Sequence, residues 1–389
     1  MTPQAYPLPG SPPPPVAAGE TLDEDAFEVP RLHRLWLDRA ERLGTSFLAR
    51  RADAHGLQSC WSESSRAAVG IDLPRPETLT SALALKWLPD IAPTTRRLLM
   101  EWLRDKRSPH APRFHVFETP AALAPDVGTT GVALVALWRT GAIGVETLRR
   151  GAEEILLAAA AEPVQGVPEG VFKVFWEDHD EGVVCRRGRE ADPLTVVNAL
   201  HAVVLAVRHA RLDLEDVVDV REFREDGSRT RRMFVVAEII QRNLDYICRH
   251  LQNPDLLRSG RYSQSEAQFL AFVTELWRDA TPLAATLRRS LERAVRRMWS
   301  ATKTFEGLEP LELASRIIAA HDLALLDLDL GHAREELCRH QQPDGSWAPS
   351  PFLTVDGGLT LGGREMATVY ALRALRGPRR TGGHWHRRP

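Results

Sequence analysis

Apolar residues recur three and four positions apart along nearly the whole stretch from 29 to 376, and runs that alternate apolar with polar residues are few. That period predicts helices throughout, and the helices are of two kinds. One kind is short, rich in small residues and opens after Pro or an acidic residue: PETLTSALALKWL (76–88), PDVGTTGVALVAL (125–137), DPLTVVNALHAVVLAV (192–207), EPLELASRIIAAHDLALL (309–326) and GGREMATVYALRAL (362–375), with YSQSEAQFLAFVTELW (262–277) as a less similar sixth member. The other kind is more charged and fills the gaps at about 31–53, 93–105, 144–161, 233–252, 283–300 and 332–341. Pro and Asp suit the first positions of a helix, and small residues let helices approach closely. The first kind therefore predicts an inner ring, and the amphipathic charged kind an outer ring facing water. Six and six is the count that closes a ring, so the expected fold class is all-α, a single (α/α)6 toroid over 29–376. A right-handed α-solenoid would show a similar alternation.

The ends break this pattern. Residues 1–28 are rich in Pro, Gly and Ala without periodicity and read as a disordered leader. Residues 377–389 read as a flexible basic tail.

Composition excludes several functions. Fifty Lys and Arg against fifty-two Asp and Glu leave a net charge of −2, without the basic field of a nucleic-acid binder. No charged-then-apolar signal opens the chain and no apolar run is long enough to cross a bilayer, so a cytoplasmic location is expected. Cys60, Cys185, Cys248 and Cys338 form no CxxC pair, which suits reduced thiols. Phosphate-cradling glycine loops, His-Glu-x-x-His and Gly-x-Ser-x-Gly are lacking, so nucleotide, zincin and serine-hydrolase readings have no support.

Two stretches carry a resemblance. Gln342-Pro343-Asp344-Gly345-Ser346-Trp347, between a charged helix and a small-residue one, resembles the QW repeat of squalene-hopene cyclases, in which Gln caps a helix end, Asp-Gly turns and Trp stacks between helices. Degenerate counterparts stand at Gln58-Ser59-Cys60-Trp61 and around Trp176. Asp126-Val127-Gly128-Thr129-Thr130 is similar to the Asp-x-Asp-Asp-Thr stretch of class II terpene cyclases and to its Asp-x-Asp-Thr-Thr variant, except that Gly128 stands where the family has its proton-donating aspartate. Asp192-Pro193-Leu194-Thr195-Val196-Val197-Asn198-Ala199 resembles an Asp-Pro-x-Val-Asn-Ala stretch in bacterial toroid proteins. The chain is thus identified with the terpenoid-cyclase and protein-prenyltransferase superfamily. The resemblance implies an isoprenoid cyclase, of isomerase or lyase class, holding a hydrophobic substrate in a central apolar cavity, with peripheral membrane contact allowed. The loss of the central aspartate leaves a second reading open: a catalytically degenerate toroid that binds an isoprenoid or a partner protein. Zinc-dependent prenylation is not expected, because the Asp-x-Cys of that branch is missing.

Protonating an alkene needs a carboxylic acid kept neutral in a dry site, with aromatic faces to shield the cation. On this reading the catalytic candidates are Asp126, Thr129 and Thr130, and the substrate-binding candidates are Phe117, Trp176, Asn198, His201 and Trp277. Asp126 reads equally as a plain helix N-cap. Glu177, Asp178, Asp180 and Glu181 supply hard oxygen ligands suited to Mg2+, or form a solvated loop; no other cofactor is expected. His321 and Asp322 are neighbours on one helix and point about 100° apart, so they cannot serve one substrate together.

Overall fold

The computed structural model describes residues 31–52, 56–61, 75–108, 111–115, 125–163, 166–176, 190–223, 229–257, 262–263, 265–280, 282–302, 304–355 and 359–377. Within them lie twelve α-helices, alternating between the two rings. The inner ones are α2 (Thr78–Trp87), α4 (Val127–Arg139), α6 (Pro193–His209), α8 (Glu266–Ala280), α10 (Pro310–Asp322) and α12 (Arg364–Arg376). The outer ones are α1 (Arg31–Arg51), α3 (Pro93–Asp105), α5 (Val145–Leu156), α7 (Val236–Gln252), α9 (Arg288–Ser300) and α11 (Leu330–Arg339). Each inner helix packs on the next, and α12 packs back on α2, which closes the ring. α1 covers α12, and the other five outer helices each cover the inner helix that precedes or follows them in the chain. None of the described helices is long and apolar enough to cross a membrane.

Burial separates the rings as the two helix kinds predict. All of α2 is buried, as are Val127–Leu137 of α4 and Pro193–Ala206 of α6. An outer helix such as α9 buries only Leu291, Ala294, Val295 and Met298, a stripe at helical period. The small residues work as close-packing points. A Cβ on Gly131 would stand 2.4 Å from the Asn198 carbonyl oxygen on α6, so only glycine allows this approach of α4. Pro93, Pro193 and Pro310 occupy first-turn positions of α3, α6 and α10, where a missing N–H breaks no bond.

The ring carries more β structure than its periodicity suggests. β3 (Val217–Phe223) and β4 (Arg229–Val235) form an antiparallel hairpin between α6 and α7. Val218, Val220 and Glu222 turn inward, alternating with Asp219 and Arg221, so the period here is two rather than 3.6. A buried ion pair between Lys173 and Glu222 pins the hairpin to the segment ahead of α6. The other five strands form one sheet in the order β2-β1-β7-β6-β5: β1 Gln58–Trp61, β2 Arg75–Pro76, β5 Tyr262–Ser263, β6 Ser350–Val355 and β7 Leu359–Gly363. β2, β5 and β7 run into α2, α8 and α12, so the sheet lies along the N-terminal rim of the inner ring.

The tryptophan motif ties the rings together. Trp347 is fully buried; its indole N–H donates to Leu337 O (2.6 Å) and its backbone N–H to the Thr368 hydroxyl (3.2 Å). Gly345 makes the turn at φ +91°, where a Cβ would meet Leu43 O at 2.4 Å. Gln342 reaches the helix-ending carbonyl of His340 (3.3 Å), but the bond that crosses to α1 comes from its neighbour Gln341, whose amide donates to Ala40 O at 2.9 Å. Trp176 repeats the arrangement, donating to Glu154 O at 3.0 Å. Both acceptors are the third residue from the end of the preceding outer helix. Trp61, Trp176 and Trp347 each lie seventeen residues ahead of the first residue of an inner helix, Thr78, Pro193 and Arg364.

Candidate functional site

Three consecutive inner helices open on one device, an acid followed three residues later by Thr. Glu77 accepts from the N–H groups of Leu79 (2.8 Å) and Thr80 (2.9 Å), and from the Thr80 hydroxyl at 2.6 Å. Asp126 Oδ1 accepts from Thr129 N–H at 2.7 Å, and Asp192 Oδ2 from Thr195 N–H at 2.7 Å. These carboxylates satisfy the free N–H groups of their helix starts. An N-cap acid is ordinarily ionised at the surface, but these three are buried. Burial pushes Glu77 up to about 7, against the pull of its Thr80 and Leu79 bonds, and nearby Asp126 adds to the rise. Burial likewise pushes Asp126 up to about 6, against the Thr129 bonds. Asp126 Oδ2 is buried without a hydrogen-bond partner. The rim thus holds two neighbouring carboxyl groups that keep their protons to higher pH than a surface acid does, one with an uncommitted oxygen.

The ring axis can be located from contacts between helices that are not neighbours. α2 and α8 stand opposite one another, yet Lys86 Nζ lies 2.7 Å from Glu275 Oε2, and Trp87 Nε1 donates to the same oxygen at 3.0 Å. The Trp87 and Phe272 rings are 5.4 Å apart, and Tyr370 of α12 meets Trp87 edge-on at 4.8 Å. These side chains meet at the middle of the ring and close it. Arg139 of α4 reaches across to Glu275 at 2.6 Å and also pairs with Asp279. His201 Nε2 donates to Asp279 at 3.0 Å; Arg278 and Arg373 grip Asp322 at 2.9 and 2.6 Å. Every inner helix contributes to this charged layer, at or beyond its midpoint.

Counter-charge reverses the acid behaviour there. Burial alone would raise Glu275, but Lys86 and Arg139 outweigh it and hold the carboxyl well below the usual range. Asp279 is held low in the same way, chiefly by Arg139 and His201. Burial lowers Lys86 and His201.

The residues singled out from the sequence fall into separate groups. Asp126 and Thr129 are brought together at the rim. Thr130 turns its hydroxyl to accept from Phe114 N–H (2.9 Å), which anchors the segment ahead of α4. Asn198 stands between Thr195 and His201, about 60° from each around α6. Thr195 faces α4 through Gly128 and His201 faces α8 through Asp279, so Asn198 faces the axis. Trp176 and Trp277 are directed outward: Arg113 stacks on Trp176 at 4.6 Å and Arg288 on Trp277 at 5.7 Å. Phe117, Glu177, Asp178, Asp180 and Glu181 lie outside the described residues, as do the leader and the tail. His321 packs against Gly377, and burial beside Arg334 and Arg373 pushes its imidazole down to about 3.

Gly128 shares a stripe of α4 with Val132, Val135 and Arg139, and Arg139 faces the axis. A Cβ at 128 would stand 3.0 Å from both Cα and Oγ1 of Thr195, so an aspartate there requires the start of α6 to give by a few tenths of an ångström. Sequence reasoning missed Glu77, although Pro76-Glu77-Thr78-Leu79-Thr80 repeats the pattern of Pro125-Asp126-Val127-Gly128-Thr129. It also missed the charged layer, whose signal is one or more ionisable residues at or beyond the middle of each inner helix.

No family model matches the chain, and no curated protein matches it in sequence. Solved structures do. The chain is similar to the type II terpene cyclase MstE from Scytonema in its apo form, at 14% identity over 88% of this chain and 98% of that one, with a TM-score of 0.57. A variant of that enzyme in complex with geranylgeranyl dihydroxybenzoate, its substrate, matches at 12% identity over 88% and 97%, with a TM-score of 0.57. The ent-copalyl diphosphate synthase from Streptomyces platensis matches at 16% identity over 80% of this chain and 52% of that one, with a TM-score of 0.50. The chain has the α/α toroid fold of the terpenoid cyclases.

Proposed function

We propose that the protein is an isoprenoid cyclase in which Asp126 is the proton donor. The observation that carries this reading is a carboxyl group buried at the rim of the ring, pushed up to about 6, with Oδ2 uncommitted. In this mechanism the Oδ2–H proton adds to an alkene of the bound substrate, leaving a carbocation that successive double bonds attack until a proton is lost. The Thr129 N–H bond to Oδ1 holds the carboxyl in place, and Glu77 beside it discourages ionisation of both. The faces of Trp87, Phe272 and Tyr370 at the middle of the ring are suited to shielding a passing cation. Fold alone does not fix activity; the acid at the rim is what favours a cyclase over other uses of the toroid.

The test is turnover of a panel of prenyl substrates, followed by mass spectrometry, with wild type and Asp126→Asn. The variant keeps the cap acceptor and is expected to lose about 10³-fold or more in rate while its helical spectrum stays unchanged. A folded, fully active Asp126→Asn removes the residue from the mechanism. A second reading, an isoprenoid carrier without turnover, draws on Gly128. Thermal stabilisation by a prenyl compound with no product formed would favour it.

A further inference from the structure

The inner ring is layered along its axis. The helix rises 1.5 Å per residue, so depth follows from position in each inner helix. Glu77 and Asp126 sit at the caps. The charged layer begins at the ninth or tenth residue: Lys86 in α2, His201 in α6, Glu275 in α8. Between these levels lie three polar side chains, the third residue of α8, Gln268, the sixth of α6, Asn198, and the seventh of α12, Tyr370.

All three are at least nine-tenths buried, and Gln268 Oε1, Asn198 Oδ1 and Tyr370 Oη have no hydrogen-bond partner. All three are on axis-facing stripes. Gln268 precedes Phe272, Glu275 and Asp279 at i+4, i+7 and i+11, Asn198 lies between the two neighbour-facing sides of α6, and Tyr370 touches Trp87 and Phe272 across the ring. Buried Leu83 and Val132 lie on the same faces as Lys86 and Arg139, and Met366 one turn above Tyr370; Gln268 Nε2 donates to Pro351 O at 3.0 Å, which fixes the amide. Buried polar atoms left unmatched disfavour the fold unless something supplies a partner. Below them, every cation on the axis is already paired: Lys86 and Arg139 with Glu275, Arg278 and Arg373 with Asp322.

We propose that the ring takes a neutral isoprenoid bearing a hydroxyl group, an alcohol or phenol, in preference to a pure hydrocarbon or a diphosphate. This rests on the reading that the ring interior holds an isoprenoid. The hydroxyl's single proton is shared between the amide oxygens of Asn198 and Gln268 in a three-centre bond, and the Tyr370 hydroxyl donates to its oxygen. The prenyl chain packs on the apolar stripes within reach of Asp126. A diphosphate finds no uncommitted cation among the described axial residues, and squalene leaves the three oxygens unmatched.

Equilibrium binding of geranylgeraniol, geranylgeranyl diphosphate and squalene to the full-length protein in mild detergent tests the proposal. Geranylgeraniol should bind at least tenfold more tightly than either of the others. Tyr370→Phe, Asn198→Leu and Gln268→Leu should each weaken geranylgeraniol about tenfold, leave squalene unchanged, and leave the Tm of the unliganded protein equal or higher. Tighter binding of the diphosphate or of squalene overturns the proposal. So does a fall in the unliganded Tm of all three variants, since that means buried water already satisfies these groups. Failure to bind any of the three probes sinks both the hydroxyl preference and the isoprenoid reading beneath it. Binding of the alcohol without turnover removes only the cyclase.

Discussion

Glu77 and Asp126 at one pole of the inner ring, on α2 and α4, and Glu275 and Asp279 at the other, on α8, are all buried or nearly so, yet their chemistry is opposite. The rim pair is pushed up to about 7 and about 6, and the far pair is held below the ordinary range. Burial raises all four. What separates them is counter-charge: the rim acids meet only N–H groups, hydroxyls and one another, whereas Glu275 and Asp279 meet Lys86, Arg139 and His201. A carboxylate partnered by cations fixes structure; one partnered by neutral donors stores a proton. The toroid therefore has a locked pole and a pole of raised carboxyl groups, the reactive one in the proposed mechanism, and the axial contacts of α2 with α8 place the lock.

The largest expected effect breaks the lock. Glu275→Ala leaves Lys86 and Arg139 buried without their shared partner, which should cost about 3–5 kcal/mol in chemical denaturation. A loss within about 0.5 kcal/mol would mean that the layer is wet and that the poles do not differ as described.

Next in size is the pH dependence of stability, which has opposite signs at the two poles. The rim acids have raised values, so the folded state keeps protons that the unfolded chain has lost. Their effect is that stability falls as pH rises from about 4 to about 7. The far pair has lowered values, so its stabilisation is present above the ordinary carboxylate range and is lost as pH falls below it. Tm should therefore peak in mildly acidic solution. Glu77→Gln combined with Asp126→Asn should flatten the slope between about pH 4 and 7 and leave in place the acid limb due to Glu275 and Asp279. An unchanged slope would assign the neutral limb to other groups.

The smallest effect sharpens the reactive pole. Thr129→Val removes a hydroxyl whose bond lowers Asp126 while leaving the backbone cap. The alkaline limb of the pH–rate profile should then move up by roughly half a unit, with little change in Tm. A downward move would show that the hydroxyl does not hold down the acid.

Much of the ring is legible in the sequence. The expected helix at 93–105 coincides with α3, and the others fall within three residues of their observed bounds, apart from one bound each of α5, α8, α9 and α10, which is four or five residues off. Pro, acid and glycine mark those boundaries locally, so the chain order is enough to find them. The β3–β4 hairpin was not foreseen, because its alternating stretch is charged on both strands and only burial of Val218, Val220 and Glu222 reveals the inward side. Within the site, Asp126 was marked by a motif, and Glu77 repeats that motif without having been marked.

By itself the sequence determined the twelve helices, their division into small-residue and charged kinds, the acid-x-x-Thr caps and the tryptophan ties, because each of these depends on residues within a few turns of one another. Only the tertiary structure decided which face of each helix sees the axis, and with it every functional distinction. It turned Trp176 and Trp277 toward the outer ring, set Gly128 against Thr195, and joined Lys86 to Glu275 across 188 intervening positions of register. A helix period fixes relative directions within one helix; closing the ring gives those directions their meaning, since the charge and desolvation that tune a carboxyl come from helices distant in the chain.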